Sequence, residues 1–194
     1  MTLTKTPVCD FGIKAKDFKL KSINNELVSL NDIKGEKATL IMFICNHCPY
    51  VKAIIKDLIT DCKELKKEGV NSVAIMSNDT NNYPADSFEN MIEFAKDNQF
   101  EKINYLIDET QEIAKQYGAV CTPDFFGYNK NFELQYRGRF RELKDLKPIK
   151  NGDSDLKLSM KMIAKTQKGP DKQIPSMGCN CLLYTSPSPR DATL

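Results

Sequence analysis

The stretch from Met42 to Ile54 reads MFICNHCPYVKAI and places Cys45 and Cys48 where the hydrophobic pattern changes. Before it, residues 38–45 (ATLIMFIC) form a continuous apolar run, which is typical of a strand buried on both faces. After it, apolar residues recur at intervals of three and four, which predicts a helix with one buried face. These positions are Val51, Ile54, Ile55, Leu58, Ile59, Cys62 and Leu65. The cysteine pair is therefore predicted to lie between a buried strand and a helix.

The rest of the sequence continues this alternation of strands and helices. We expect Asp86, with Glu89 three residues later, to cap the second helix. Hairpins are predicted around Asn24–Asn25 and Lys130–Asn131. The other predicted elements are strands at 70–78 and 103–108 and helices at 88–95, 113–117 and 154–166. Together they predict one α/β domain whose central sheet is partly parallel and covered on both faces.

Composition excludes several classes of protein. The 194 residues contain 28 Lys and Arg against 26 Asp and Glu, a net charge of +2, which gives no electrostatic argument for binding nucleic acid or an anionic membrane. No apolar run approaches the roughly 20 residues of a membrane span, and the N-terminus lacks a signal-peptide pattern. We therefore expect a cytoplasmic protein, in which a C-x-x-C pair is more often catalytic or metal-binding than structural.

The last residues do not resemble the rest of the chain. Residues 181–191 (CLLYTSPSPRD) match a reading frame of a common transposase sequencing adapter. We therefore expect one native domain at 1–180 and treat 181–194 as adapter read-through. The native cysteines are then Cys9, Cys45, Cys48, Cys62, Cys121 and Cys179.

The position of the cysteine pair favours redox chemistry. A helix N-terminus stabilises a thiolate and lowers the pKa of a cysteine, and a spacing of two residues allows a disulfide to close. Cys45, nearer the loop, is predicted to be the exposed attacking nucleophile, and Cys48, one turn inside the helix, to resolve the mixed disulfide. The alternative is that both are small buried core residues.

Several segments resemble the thioredoxin superfamily and, within it, the peroxiredoxin-like proteins of the alkyl hydroperoxide reductase/thiol-specific antioxidant (redoxin) group. The resemblance runs from about Thr6 to Asn180 and implies a thioredoxin-like fold, with a central mixed β-sheet flanked by helices and an N-terminal β-hairpin. The segments that carry it are FICNHCPYVKAII (43–55), SNDTNNYPADSFENM (77–91), YGAVCTPDFFGYN (117–129), YRGRF (136–140) and PSMGCN (175–180).

The resemblance implies further site residues. It makes Pro123 a candidate cis-proline opposite the cysteines, with the Thr122 backbone available to pair with an extended substrate. His47 lies between the cysteines and is expected to stabilise the Cys45 thiolate. No cofactor is expected. The expected partners are protein or small-molecule disulfides, with peroxides as a second class, and a thioredoxin or glutathione system as reductant.

The type of redox reaction follows from what the sequence lacks. A peroxidatic site resembles Pro-x-x-x-Thr-x-x-Cys, but the matching positions before Cys45 are Ala38 and Met42. Arg137 and Arg139 are predicted to be solvated charges rather than peroxide ligands. The predicted function is thiol-disulfide exchange, and a thiol peroxidase or antioxidant protein is the alternative.

A non-enzymatic zinc- or copper-binding protein is the second alternative. A C-x-x-C motif with a histidine can begin a metal site. His47 is the only histidine, so a distant histidine ligand is lacking. Cys121 and Cys179 are the remaining candidate zinc ligands, although packing is the simpler role for both.

Overall fold

The computed structural model describes residues 3–7, 10–180 and 182. Cys9 and nearly all of the expected adapter segment, 181 and 183–194, lie outside the described residues. The strands and helices, in chain order, are β1 (Leu3–Lys5), β2 (Lys19–Ser22), β3 (Leu27–Ser29), β4 (Ala38–Phe43), α1 (Pro49–Lys67), β5 (Val70–Met76), α2 (Phe88–Asp97), β6 (Asn104–Ile107), α3 (Glu112–Tyr117), β7 (Asp124–Asn129), β8 (Leu134–Tyr136), β9 (Leu143–Lys144), β10 (Lys147–Pro148), α4 (Asp155–Thr166) and β11 (Met177–Cys179).

Seven strands form the central sheet, in the order β3-β2-β6-β5-β4-β7-β8. Strands β4, β5 and β6 run parallel, and helices α1 and α2 provide the crossover connections that parallel neighbours require. The β2–β3 hairpin adds to one side and β7 and β8 to the other, both antiparallel. The predicted mixed sheet, with its N-terminal hairpin, is confirmed.

Strand β4 lies inside the sheet and is buried along its whole length, as its apolar run predicts. Leu40 and Met42 face the cluster that also contains α1 and α4 residues, while Ile41 and Phe43 face the cluster that contains α3 residues. The alternation follows from the two-residue period of a strand. Helices therefore cover both faces of the sheet. Strand β4 ends at Phe43, so Cys45 lies just beyond the carboxyl end of this buried strand.

Helix α1 buries the predicted apolar face. All seven predicted positions are buried: Val51, Ile54, Ile55, Leu58, Ile59, Cys62 and Leu65. The helix begins at Pro49, which is tolerated there because its missing N–H would have no partner in the first turn. Cys62 is buried in the core, and this burial raises the pKa of its thiol to about 12.

Two small antiparallel pairs lie outside the central sheet, and neither is predicted from the sequence. Strand β9 pairs with β10, and β1 pairs with β11, so that Thr4 is opposite Gly178. The second pair brings the segment around Cys179 back to the body of the protein. A membrane-spanning segment would need a long apolar helix, and the described part of the chain has none.

Candidate redox site

The two cysteines of the motif contact the same residue, Thr122, which lies in the loop just before β7. Cys45 lies in the loop after β4, and its Sγ is 3.3 Å from Thr122 Oγ1. Cys48 donates from its Sγ to the Thr122 carbonyl oxygen at 3.2 Å. The Thr122–Pro123 peptide bond is cis, as predicted. The structure thus brings Cys45, Cys48, Thr122 and Pro123 together.

The positions of the sulfurs differ from the prediction in two respects. Cys48 is the N-cap of α1, with extended backbone angles, rather than a residue one turn inside the helix. Cys45 is wholly buried, as is Cys48, so the predicted exposure of Cys45 is wrong. Both belong to the hydrophobic cluster on the α1 face of the sheet, which also contains Cys179. The folding of the C-terminal segment over the site was not visible in the sequence.

His47 is held by a carboxylate that the sequence assigned elsewhere. Its Nδ1 lies 2.7 Å from Asp86 Oδ2, and its ring stacks on Tyr83 at 4.8 Å between centroids, with an interplanar angle of 10°. The prediction that Asp86 caps α2 is wrong: Ser87 is the N-cap and accepts a hydrogen bond from the Asn90 N–H. Only 13% of the His47 side chain is exposed.

Asp86 is completely buried and makes several hydrogen bonds to the active-site loop. Its Oδ1 accepts from the backbone N–H of Asn46 at 2.8 Å and of His47 at 3.2 Å, and its Oδ2 accepts from Asn78 Nδ2 at 2.7 Å. These contacts satisfy the buried charge and fix the loop between the cysteines. Asn78 directly follows the β5 region, at the same carboxyl edge as Cys45. That shared edge is the one sequence signal that could have identified this network.

A second buried polar contact supports the same loop. Tyr105 Oη donates to Asn46 Oδ1 at 2.9 Å. Burial, reinforced by charge on Cys45 and Asp86, raises the pKa of the Tyr105 hydroxyl well above its usual range. The phenol therefore stays protonated and remains a donor at neutral pH.

The Thr122 backbone pairs with the last strand of the chain. Its N–H donates to the Cys179 carbonyl oxygen at 3.0 Å, and its carbonyl accepts from the Cys179 N–H at 3.1 Å. The chain's own β11 therefore occupies the hydrogen-bonding groups that were predicted to pair with a substrate. The reason is the β1–β11 pairing, which holds residues 177–179 against this loop.

A buried ion pair lies directly after the cis-proline. Asp124 Oδ2 accepts from Arg137 Nη2 at 2.9 Å, and the same Nη2 donates to the Gly118 carbonyl at 2.6 Å. Burial raises the pKa of Asp124, and the Arg137 guanidinium opposes this. The prediction that Arg137 is solvated is wrong, because its side chain is only 5% exposed. Arg139 is partly exposed and pairs with Asp155 at 2.6 Å.

One group of three possible metal ligands occurs among the described residues: Cys45, His47 and Asp86, with donor atoms within 4.8 Å of one another. Neither Cys121 nor Cys179 belongs to it, contrary to the zinc alternative. The 2.7 Å separation of His47 Nδ1 and Asp86 Oδ2 is that of a hydrogen bond. A zinc ion bound to both atoms would hold them roughly 3.3 Å apart, so the pair would have to separate.

An open groove adjoins the site. It has a volume of about 460 Å³ and reaches Tyr50, Pro123 and Met177. Ile174, which also lines it, is 53% exposed. The groove thus leads from the surface to the cis-proline and the edge of β11.

Comparisons with known proteins place the chain among structures of similar fold. A conserved protein of uncharacterized function from Geobacillus kaustophilus has a similar structure, with a TM-score of 0.90 and 36% identity over 96% of this chain and 98% of that one. A hypothetical protein from Sinorhizobium meliloti 1021 aligns with a TM-score of 0.86 and 32% identity over 94% and 99% of the two chains.

The thioredoxin domain of a thiol-disulfide oxidoreductase from Bacteroides vulgatus shares the fold, with a TM-score of 0.56 and 16% identity over 67% of this chain and 89% of that one. This likeness confirms the thioredoxin-like fold. No curated protein sequence matches the chain. The family model described as AhpC/TSA matches residues 11–142, which is more than half of the sequence. The chain therefore belongs to the AhpC/TSA family.

Proposed function

We propose that this chain is a thiol-disulfide oxidoreductase that uses Cys45 and Cys48 as a dithiol–disulfide couple. Members of the redoxin family are oxidoreductases, which gives the general class. The observation that carries the proposal is the convergence of both sulfurs on Thr122, at 3.3 Å and 3.2 Å, beside the cis peptide bond. Both sulfurs therefore lie beside the same residue, and the two-residue spacing of the cysteines allows a disulfide to close between them.

The reaction transfers two electrons in two exchange steps. The Cys45 thiolate attacks a sulfur of the substrate disulfide, that S–S bond breaks, and the first substrate thiol leaves with a proton. Cys48 then loses its proton and attacks the Cys45 sulfur of the mixed disulfide. The second substrate thiol leaves, and Cys45 and Cys48 are joined. A thioredoxin- or glutathione-type thiol returns the couple to the dithiol state.

His47 has a defined place in this reaction. A ring nitrogen of His47 and a carboxylate oxygen of Asp86 both lie within 4.8 Å of Cys45 Sγ, and Asp86 Oδ2 lies 2.7 Å from His47 Nδ1. An imidazolium at this distance stabilises the Cys45 thiolate, hence the reduced form, and makes the disulfide more oxidising. Asp86 is a positioning residue that acts through His47.

A trapping experiment tests the roles of the two thiols. The Cys48→Ser variant, combined with Cys179→Ser so that Cys179 of the same buried cluster cannot resolve the mixed disulfide, should attack a disulfide substrate such as insulin but fail to release it. A mixed disulfide should then accumulate on a non-reducing gel. The Cys45→Ser variant should trap nothing. Cys62→Ser, which changes a buried cysteine of α1 outside the motif, is the matched control and should behave like the wild type. Equal trapping by Cys45→Ser would reverse the two roles.

Metal analysis of the purified protein tests the metal-binding alternative. We expect no stoichiometric zinc or copper, and thiols that react after reduction. About one equivalent of zinc, with thiols that resist alkylation, would instead support a binding protein built on Cys45, His47 and Asp86.

A further inference from the structure

The last strand lies directly against the loop that carries the cis-proline. Thr122 and Cys179 exchange both backbone hydrogen bonds, so the two residues are directly opposed in an antiparallel pair. The approach is close, because a Cβ added at Gly178 would lie 2.1 Å from the Thr122 carbonyl oxygen. Residue 178 must therefore be glycine for β11 to pack in this position.

The pairing determines where the Cys179 side chain lies. Directly opposed residues of an antiparallel pair project from the same face, with Cβ atoms about 5 Å apart. On that face Thr122 Oγ1 is 3.3 Å from Cys45 Sγ. Cys179 therefore projects from the face on which Thr122 reaches Cys45.

The packing and the electrostatics agree with this placement. Cys45, Cys48 and Cys179 belong to one hydrophobic cluster, and Cys179 is only 4% exposed. The pKa of the Cys121 thiol is raised mainly by burial and then by the Asp124 carboxylate. Negative charge on Cys48 and on Cys179 makes smaller contributions in the same direction. Both sulfurs are thus close enough to one buried thiol to influence its ionisation.

We propose that Cys179 is a third redox thiol, which exchanges with the Cys45–Cys48 disulfide and moves the disulfide onto β11. This inference rests on the proposed function, because it requires that the couple forms. Strand β11 occupies the Thr122 backbone as a tethered substrate, and its cysteine lies on the face from which an external disulfide would be attacked.

The exchange is balanced and needs no additional oxidant. The Cys179 thiolate attacks the Cys45 sulfur, the Cys45–Cys48 bond breaks, and Cys48 leaves as a thiolate that takes up a proton. A Cys45–Cys179 disulfide replaces the Cys45–Cys48 disulfide, so the protein as a whole is neither oxidised nor reduced. Two equivalents of an external thiol, or one dithiol, then reduce the new disulfide in two exchange steps and leave as a disulfide themselves, which restores the thiols of Cys45 and Cys179.

Cys121 is the competing third thiol, and the structure disfavours it. Burial raises the pKa of the Cys121 thiol well above its usual range, and the neighbouring Asp124 carboxylate raises it further. Burial is common to Cys121 and Cys179, so the Asp124 carboxylate beside Cys121 is the contact that disfavours the Cys121 thiolate as a nucleophile. Its Sγ lies 3.6 Å from the Pro123 carbonyl oxygen, within its own loop.

Disulfide mapping of the full-length Cys48→Ser variant tests the proposal. The reduced protein is oxidised with diamide, alkylated, digested without reductant and examined by mass spectrometry. With Cys48 absent, Cys45 should be recovered in a peptide linked to Cys179. That peptide should be lost when Cys179→Ser is added and should persist when Cys62→Ser is added instead.

Each other outcome decides a specific point. If Cys45 of the Cys48→Ser protein remains alkylatable, or links to Cys9, Cys121 or Cys181, the role of Cys179 is refuted. Wild-type protein in the same assay distinguishes this failure from failure of the proposed function. If the Cys48→Ser experiment fails but the wild-type protein still forms a Cys45–Cys48 disulfide, only the role of Cys179 is overturned. If the wild-type protein forms no such disulfide and does not reduce insulin, both proposals are overturned.

Discussion

Replacing Arg137 with methionine should strongly destabilise the protein, because it leaves Asp124 buried without its partner. The Asp124 carboxylate is completely buried, and Arg137 contacts both of its oxygens, at 2.9 Å and 3.4 Å. Removing one member of a buried ion pair costs about 3–5 kcal/mol. The variant also removes a donor from the Gly118 carbonyl, which adds to the loss. We expect a loss of about 4 kcal/mol in the free energy of unfolding.

Urea unfolding followed by circular dichroism measures this loss. With an m-value of about 2 kcal/mol/M, a loss of about 4 kcal/mol lowers the midpoint by about 2 M urea. Arg139→Met is the matched control, because its partners Asp155 and Glu142 have side chains that are 44% and 50% exposed. Such a pair contributes only about 0–1 kcal/mol. Equal losses in the two variants would refute the claim that burial makes the Asp124–Arg137 pair important.

The pH dependence has a defined sign. Burial raises the pKa of Asp124, and Arg137 opposes it, so removing Arg137 raises this pKa further. A carboxyl whose pKa is higher in the folded than in the unfolded state favours folding at low pH, and this contribution is lost as the pH rises through the folded pKa. The stability lost in Arg137→Met should therefore be smaller at about pH 4 than at about pH 8. An equal loss at both pH values would contradict this assignment.

Three further outcomes test the site. We expect the reduction potential of the wild-type Cys45–Cys48 couple to lie between about −270 and about −180 mV, and His47→Ala to make it more negative. A glutathione redox titration of the two proteins measures the two potentials. An unchanged potential would leave His47 with a packing role only. Hydrogen peroxide should be reduced much more slowly than a disulfide in stopped-flow assays, whereas fast consumption that depends on Cys45 would favour the peroxidase alternative. Cys62, with a pKa raised by burial to about 12, should be alkylated at about pH 8 only after unfolding in urea, and labelling of the native protein would contradict its burial.

The parts of the fold that depend on local pattern were predictable from the sequence. The continuous apolar run predicts the buried strand β4, and the spacing of apolar residues predicts the buried face of α1. The turn residues predict the hairpins. The motif at Cys45 and Cys48 follows from where those patterns meet, and Thr122 and Pro123 followed from the family resemblance.

The parts that depend on distant contacts were not predictable. Asp86 has the spacing of a helix cap, but it is 40 residues from the Asn46 N–H that it binds. Arg137 has the sequence context of a solvated strand end, and only the packing of β8 against β7 brings it to Asp124. Cys45 shares its hydrophobic cluster with Cys179, which lies more than 130 residues later in the chain. Sequence spacing gives no measure of such proximity.

The complete burial of both motif sulfurs has a kinetic consequence. A partner or reagent can reach them only after a local opening, so the observed rate is the product of an opening equilibrium and the intrinsic exchange rate. Substitutions that loosen the covering segment would then accelerate the reaction with every reagent by the same factor, whereas changes to thiolate chemistry would depend on the reagent. A partner protein that binds the opened form lowers the free energy of opening for its own reaction, but not for the reaction with other disulfides. Selectivity among disulfides can therefore arise from access rather than from the chemistry of the sulfur.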